Sequence, residues 1–321
     1  MSCVPSEVNI IVVTHNSARD IGGLLDSLPA AIGNITANVI VVDNGSADGT
    51  VQILLDRDDC QLVQSANTGY AGGINRGVRD GSGANAILIL NPDARLSPGS
   101  VAPLLDALRS PGIGIVAPRV LSDHGSLEFS LRREPSLLRA LGLGWTKHPA
   151  LSEYVQEAAA YKHPHAADWA VGAILMISRH CFDTLGGWDE SFFLYSEETD
   201  FALRARDVGL RTWYEPRAVA THIGGGSGRS SQTHAMRAVN RVRLYRRRHG
   251  APVSWCFYWL TVASELWWGL RGYPHARYAA LVLLRPSLRP RELNCSACLM
   301  PRLAPLPGGR GAWWGVVGVR G

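Results

Sequence analysis

The chain has 321 residues, 46% hydrophobic and 18% charged, which excludes a disordered chain and allows one large domain, or one with an appendage. Its net charge of +5 conceals an asymmetry: residues 1–235 hold 18 Lys/Arg against 25 Asp/Glu, net −7, whereas residues 236–321 hold 14 Arg against two Glu, net +12. An acidic body with a basic tail suggests an anionic surface as partner, either a membrane or a nucleic acid. The six cysteines (Cys3, Cys60, Cys181, Cys256, Cys295, Cys298) form no disulfide framework, and Cys295 and Cys298 make a lone CxxC without the second pair a zinc site needs. The N-terminus has no basic n-region and no long apolar run, so no signal peptide is expected and a reducing, cytoplasmic setting follows.

Residues 8–13 form a continuous β-branched run that ends in Thr14-His15-Asn16-Ser17, and Ile21, Leu24, Leu25 and Leu28 then repeat at helical spacing. A second buried strand, residues 39–42, ends in Asp43-Asn44-Gly45-Ser46, and a third, residues 86–90, ends in Asn91-Pro92-Asp93. Continuous apolar strands alternating with helices indicate a largely parallel α/β sheet, whose ligands sit beyond the carboxyl ends of the strands. Residues 119–164 are irregular, with Pro135, Gly142, Gly144 and Pro149; residues 168–179 return to strand-like sequence. A helix follows from Thr199 to Asp207, a strand from Val219 to Ile223, a glycine run, and a basic helix from Arg237 to Arg248. Residues 253–270 are apolar with four tryptophans, broken by Glu265; their length is at the lower limit for a bilayer span. The flanking arginines and the tryptophans favour a helix lying at the membrane interface over a packing helix or a span. The Pro-, Gly- and Arg-rich residues 286–321 read as a poorly ordered tail.

Strand-end polar residues at Thr14, Asn16, Asp43, Asn44, Asn91 and Asp93 would converge on one crevice. Asp43 can accept hydrogen bonds from a nucleobase or ribose, and Asp93 can hold a divalent cation that neutralises a diphosphate leaving group. The bland alternative for each aspartate is a turn or capping role. Asn67 to Gly77 is a glycine-rich entry to a helix, suited to close approach of a phosphate or sugar, with neither GxGxxG nor a Walker lysine. Residues 186–200 place Asp189, Glu190, Glu197, Glu198 and Asp200 among Trp188, Phe192, Phe193 and Tyr195. Carboxylates in such surroundings are costly to desolvate unless they bind a cation or donor, or hold a proton.

Together these segments, with Thr221-His222-Ile223-Gly224, resemble glycosyltransferase family 2, most closely its rhamnosyltransferase-like branch, over about residues 8–250. The resemblance implies a GT-A fold, a Rossmann-like, mostly parallel α/β sheet, over residues 1–235. Residues 236–285 would be a basic, Trp-rich helical appendage at the membrane interface. It also implies inverting transfer from a nucleotide-diphospho-sugar with a divalent metal, Mg²⁺ or Mn²⁺. Thr14, Asn16, Asp43, Asn44, Asn67, Asn75, Asn91 and Asp93 would bind the donor, with Asp93 and His222 at the metal. Asn91 replaces the first aspartate of the family's DxD. Glu198 stands where the family has its base, an aspartate, leaving Glu197 and Asp200 as alternatives; Trp169 and Gly172 would lie near sugar and acceptor, a core role for Trp169 staying open.

The expected activity is transfer of a sugar, L-rhamnose from dTDP-rhamnose, to a polyprenyl-diphosphate-linked saccharide at the inner face of the cell membrane. A UDP-sugar donor is the nearest alternative, and a degenerate nucleotide-sugar-binding protein, marked by Asn91 and Glu198, is the rival of a different class. Nucleic-acid binding is not expected, because the basic helix lacks interleaved aromatics and the body is acidic.

Overall fold

The computed structural model describes residues 6–81, 83–224, 230–295 and 299–300. It opens with β1 (Val8–Thr14), α1 (Ile21–Ile32), β2 (Ala37–Asn44), α2 (Thr50–Leu55), β3 (Gln61–Ser65), α3 (Gly69–Asp80) and β4 (Ala86–Leu90). The four strands lie parallel in the order β3-β2-β1-β4. Successive side chains of a strand point to opposite faces, and both faces here are covered. Ile10 and Val12 pack with Leu24 and Leu25 of α1; Ile11 and Val13 pack with Ile74 and Val78 of α3. That two-sided burial is why β1 and β4 read as unbroken apolar runs.

The sheet then changes sense. Next come β5 (Ala94–Leu96), α4 (Val101–Leu108), β6 (Ile113–Ser122), β7 (Leu131–Arg132), β8 (His165–Ala167), β9 (Trp169–Ala170), β10 (Ile174–Ser178), α5 (Arg179–Leu185), α6 (Glu197–Asp207) and β11 (Arg211–His222). β10 runs antiparallel between β4 and β6, β11 lies parallel to β6, and β5 and β8 pair antiparallel with β11. The expected α/β sheet is present, parallel in its first half and mixed beyond β4. β7 and β9 form a separate two-stranded ribbon over one face.

Three helices close the chain: α7 (Ser231–Arg248), α8 (Ala251–Leu270) and α9 (Pro274–Leu284). Val239, Phe257, Val262, Val282 and Leu283 give them a core of their own. α7 is started by a capping box, in which the Ser230 hydroxyl accepts from the Thr233 N–H while the Ser230 N–H donates to the Thr233 hydroxyl. The boundary expected at 235 therefore falls inside a continuous helix. Residues 286–295, expected to be poorly ordered, form two 3₁₀ turns, and Leu293, Leu299 and Met300 are buried against the helices because the helical core leaves apolar surface for them to cover. Residues 225–229 of the glycine run, Cys298 and the tail beyond 300 lie outside the described residues.

Much of the basic charge of α7 is turned toward the acidic body: Arg241 pairs with Glu153, Arg247 with Asp189, and Arg248 with Asp207. On α8 the outward stripe is apolar at every turn, running through Pro252, Cys256, Trp259, Ala263, Leu266 and Leu270, while Glu265 turns inward to His234 at 2.8 Å. Among the described residues no helix is long and apolar enough to cross a membrane.

Candidate active site

At the carboxyl end of β1 and β2 the register sets Thr14 beside Asp43. The buried Thr14 hydroxyl donates to Asp43 Oδ1 at 3.0 Å, and the Ser46 N–H donates to Oδ2 at 2.9 Å. Ser46 Oγ donates to Oδ1 as well, at 2.5 Å. Asp43 is thus fixed in orientation at the floor of the crevice. Asn16 lies on the exposed rim with φ +54°, its Oδ1 accepting from the Ala47 N–H, and Asn67 closes the entry to α3 by accepting from the Gly69 N–H.

Two expected donor ligands make framework hydrogen bonds. Asn44 is 2% exposed; its Nδ2 donates to the Gly69 carbonyl at 2.8 Å and its Oδ1 accepts from Ser65. Asn75 donates to the Trp188 carbonyl at 2.8 Å and to Glu190, and accepts from the Trp188 N–H at 2.9 Å. Their side-chain amides serve buried backbone groups that would otherwise lack partners.

Asn91 sits at the turn after β4, its N–H donating to the Ala173 carbonyl at 2.8 Å. Two residues on, Asp93 is 4% exposed and stands 3.4 Å from His222 Nε2 at the end of β11, with Glu128 3.4 Å from Nδ1. Contact with Asp93 holds the imidazole above its ordinary value despite burial, and Glu128 adds to this. A carboxylate oxygen and an imidazole nitrogen at one point fit a divalent cation that completes its shell with substrate phosphates and water. Among the described residues there is no group of three His, Cys, Asp or Glu to enclose a cation, so the donor's own phosphates would supply further ligands.

The carboxylate pair leads α6. Glu197 is 3% exposed and Glu198 is partly open; Oε2 of each is buried without a hydrogen-bond partner. Burial, reinforced by the Glu198 charge, pushes Glu197 well above the carboxylate range. Glu198 is also raised by burial, with N–H groups at the start of α6 and the charge of Arg132 opposing. Tyr70 stands between the two clusters: burial raises its phenol first, then the charges of Glu197, Glu198 and Asp93. Its hydroxyl donates to the Gly172 carbonyl at 2.9 Å, and a Cβ on Gly172 would come within 3.2 Å of Glu198 Cβ. The segment 172–173 therefore touches the Asn91 turn on one side and the Glu198 side chain on the other.

Asp200 does not join them. It pairs with Arg204 at 2.6 Å, and Arg204 also donates to the carbonyls of Leu185 and Gly187, so this carboxylate braces the loop before α6. Two helical steps of about 100° each put it on the far side of α6 from Glu198. Trp169 is 9% exposed, packs in the core and donates its indole N–H to the Arg133 carbonyl at 3.1 Å. Tyr70, Glu128 and Arg132 were not singled out by the sequence; Tyr70 lay within the glycine-rich segment, but nothing local distinguishes Glu128 or Arg132.

Residues 9–166 match the family model for glycosyl transferase family 2. The chain is 31% identical over 270 residues to an N-acetylglucosaminyl-diphospho-decaprenol L-rhamnosyltransferase of Mycobacterium tuberculosis, spanning 77% of this chain and 87% of that one. It is 32% identical over 205 residues to the low-salt glycan biosynthesis hexosyltransferase Agl10 of Haloferax volcanii, 62% of either chain. In fold it resembles the mannosyltransferase PcManGT from Pyrobaculum calidifontis in complex with GDP-Man and Mn²⁺ (TM-score 0.54, 19% identity, 92% of this chain and 87% of that one). It also resembles S. aureus TarS 1–349 in complex with UDP-GlcNAc (TM-score 0.52, 14% identity, 90% and 83%). The fold is that of GT-A glycosyltransferases. The chain belongs to glycosyltransferase family 2 and is a glycosyltransferase.

The raised carboxylate pair has a consequence for stability. A carboxyl group whose folded pKa exceeds its unfolded value favours folding most below the unfolded value, and that contribution is lost as pH rises through the folded value. At neutral pH, Glu197→Gln removes the cost of the buried charge. We expect Tm at pH 7 to rise by about 2–4 °C, the response of a chain this size to a gain of about 1 kcal/mol. The gain should shrink toward pH 4, and a Tm that falls at pH 7 but not at pH 4 would show that the Glu197 charge is stabilising.

Proposed function

We propose that this enzyme transfers L-rhamnose from dTDP-rhamnose, with inversion, to a polyprenyl-diphosphate-linked saccharide in cell-wall or polysaccharide assembly. The observation that carries the choice of sugar and acceptor is the similarity, over 87% of its length, to the mycobacterial L-rhamnosyltransferase. The geometry supports the chemistry. Asp43, held by Thr14 and Ser46, accepts from the donor's base or ribose, with Asn16 and Asn67 on the rim. Asp93 and His222 would hold a divalent cation, which supplies positive charge to the departing nucleoside diphosphate.

Glu198 is the base. It is the member of the pair that opens to the cleft, whereas Glu197 lies deeper and retains its proton more readily. An ionised Glu198 removes the proton of the acceptor hydroxyl as that oxygen attacks the anomeric carbon and the bond to the nucleoside diphosphate breaks. The charge of Arg132 favours the ionised form of Glu198.

The outward stripe of α8 supports attachment to the inner face of the membrane. Trp259 and Trp267 are 53% and 52% exposed and Leu270 is 85% exposed, with Arg271 stacked on Trp267 at 5.1 Å from its ring centroid. Apolar side chains and tryptophan at that level enter the headgroup boundary, while arginine meets anionic lipid. Cosedimentation with anionic vesicles should be lost on Trp259→Glu with Trp267→Glu; retention would remove α8 from the membrane contact.

Transfer in Glu198→Gln should fall by about 10²–10⁴-fold with donor binding kept. Asp93→Ala should abolish the metal-dependent part of donor binding. Retained turnover in Glu198→Gln would move the base to Glu197. For the donor itself, thermal shifts with dTDP, UDP and GDP, each with and without Mn²⁺, should be largest for dTDP plus metal. A UDP preference would replace the rhamnosyl assignment, and no response to any nucleotide would favour a degenerate binding protein.

A further inference from the structure

We infer that Asn240 of α7 is a positioning residue for the catalytic carboxylates: its side-chain amide holds the strained backbone from which Glu197 and Glu198 enter the cleft. The inference rests on the transferase reading above. Asn240 is wholly buried, and its Nδ2 lies 2.6, 2.9 and 3.1 Å from the carbonyl oxygens of Phe192, Leu194 and Tyr195. Arg243 donates to its Oδ1 at 2.9 Å, which fixes the orientation of the amide.

Three non-glycine residues in this segment have positive φ: Phe193 at 59°, Tyr195 at 69° and Ser196 at 74°. Side-chain-bearing residues avoid that region, and such a run persists only where the surroundings over-determine it. α3 grips the segment from the other side. The Tyr70 N–H donates to the Phe193 carbonyl at 2.7 Å, and a Cβ on Gly69 would overlap that same carbonyl. α7 supplies further contacts: Arg243 donates to the Ser191 carbonyl at 2.9 Å and Arg247 to the Ser191 hydroxyl at 2.9 Å.

This clamp matters to the carboxylates because what grips them is the backbone of the same segment: N–H groups of Tyr195 and Glu197 reach the Glu197 carboxylate, and those of Ser196, Glu198 and Thr199 reach that of Glu198. Oε2 of each lacks a hydrogen-bond partner, so the direction of each side chain follows from those N–H groups and from the backbone that launches it. Ser196, the last residue of the strained run, is also the N-cap of α6, and its carbonyl accepts the Asp200 N–H at 2.8 Å. Releasing the amide of Asn240 lets residues 192–196 relax toward ordinary φ values and turns the start of α6.

The test is Asn240→Ala, assayed beside the parent enzyme for transfer and for donor binding. We expect kcat to fall by about 10- to 100-fold, the scale of a small misplacement of a reacting group. KM for the donor should hold within about twofold, because the lost interaction is not a binding contact. The acidic limb of the kcat–pH profile should move to lower pH as the carboxylates gain water. Adding Ser196→Gly should restore part of kcat, since glycine occupies the required φ without a clamp. An unchanged kcat and profile would overturn the inference. So would a loss of kcat matched by a loss of donor binding that Ser196→Gly does not repair, which is the pattern of a structural residue. Without substrate, the pH dependence of Tm reads the same pair and should flatten in Asn240→Ala. If the parent transfers no sugar, the transferase reading fails, and the Tm readout alone then decides whether Asn240 sets the carboxylates' surroundings.

Discussion

Two adjacent carboxylates begin α6 inside the protein, and keeping them there is a constraint that much of the neighbouring structure serves. Removing a charged group from water costs several kcal/mol even after relaxation. Here the cost is reduced in three ways. The pair lies at a helix N-terminus, where free N–H groups and the helix dipole favour negative charge. Arg132 adds a nearby positive field. The remaining imbalance is met by holding protons more tightly than an exposed carboxylate does, Glu197 most of all. A carboxylate kept short of water is a stronger proton acceptor for a substrate hydroxyl than one already solvated.

The sheet supplies the other half of the site. Parallel β1, β2 and β4 deliver Thr14, Asp43 and the Asn91 turn to one edge, because all three strands end there. The antiparallel β10 then brings the segment that precedes it, Gly172 and Ala173, back to that edge. Ala173 meets the Asn91 backbone, Gly172 lies against Glu198, and Tyr70 joins both through a single hydrogen bond. A side chain at 172 would press on the carboxylate helix. The site is therefore a junction of four strand ends (β1, β2, β4 and β11), one helix start and one short connecting segment.

The C-terminal helices serve more than one end. Their own core makes them a packed unit, and the arginines of α7 are largely occupied with the acidic body they lie against. The asymmetry of charge between the two parts of the chain is in this respect an internal complement as well as an external signal. The outward stripe of α8 and exposed Arg271 remain on the other side, facing away from α7's contacts with the 189–196 segment. The same helical unit thus touches the backbone next to the catalytic pair and presents an unpartnered apolar face.

The strands with unbroken apolar runs, the polar residues at their ends and the family motif around residues 186–200 were legible because each is local: burial on two faces, turn chemistry and spacing are written in adjacent residues. Asp43, Asp93 and the Glu197–Glu198 pair were singled out in this way, His222 by the family resemblance, and residues 253–270 by their apolar, Trp-rich composition. What the sequence did not disclose is which amides are spent on backbone groups. Asn44 and Asn75 look like ligands in the chain, and the chain does not show their framework bonds, because the partners at Gly69 and Trp188 are up to 113 residues away. Asp200 separated from Glu198 only when the phase of α6 and the position of Arg204 were known. Glu128, Arg132 and Asn240 carry no local signal, since their roles arise from side chains and carbonyls brought together across the fold. Local pattern determined the elements and the chemistry on offer; three-dimensional packing decided which polar groups were already satisfied and which were left for a substrate.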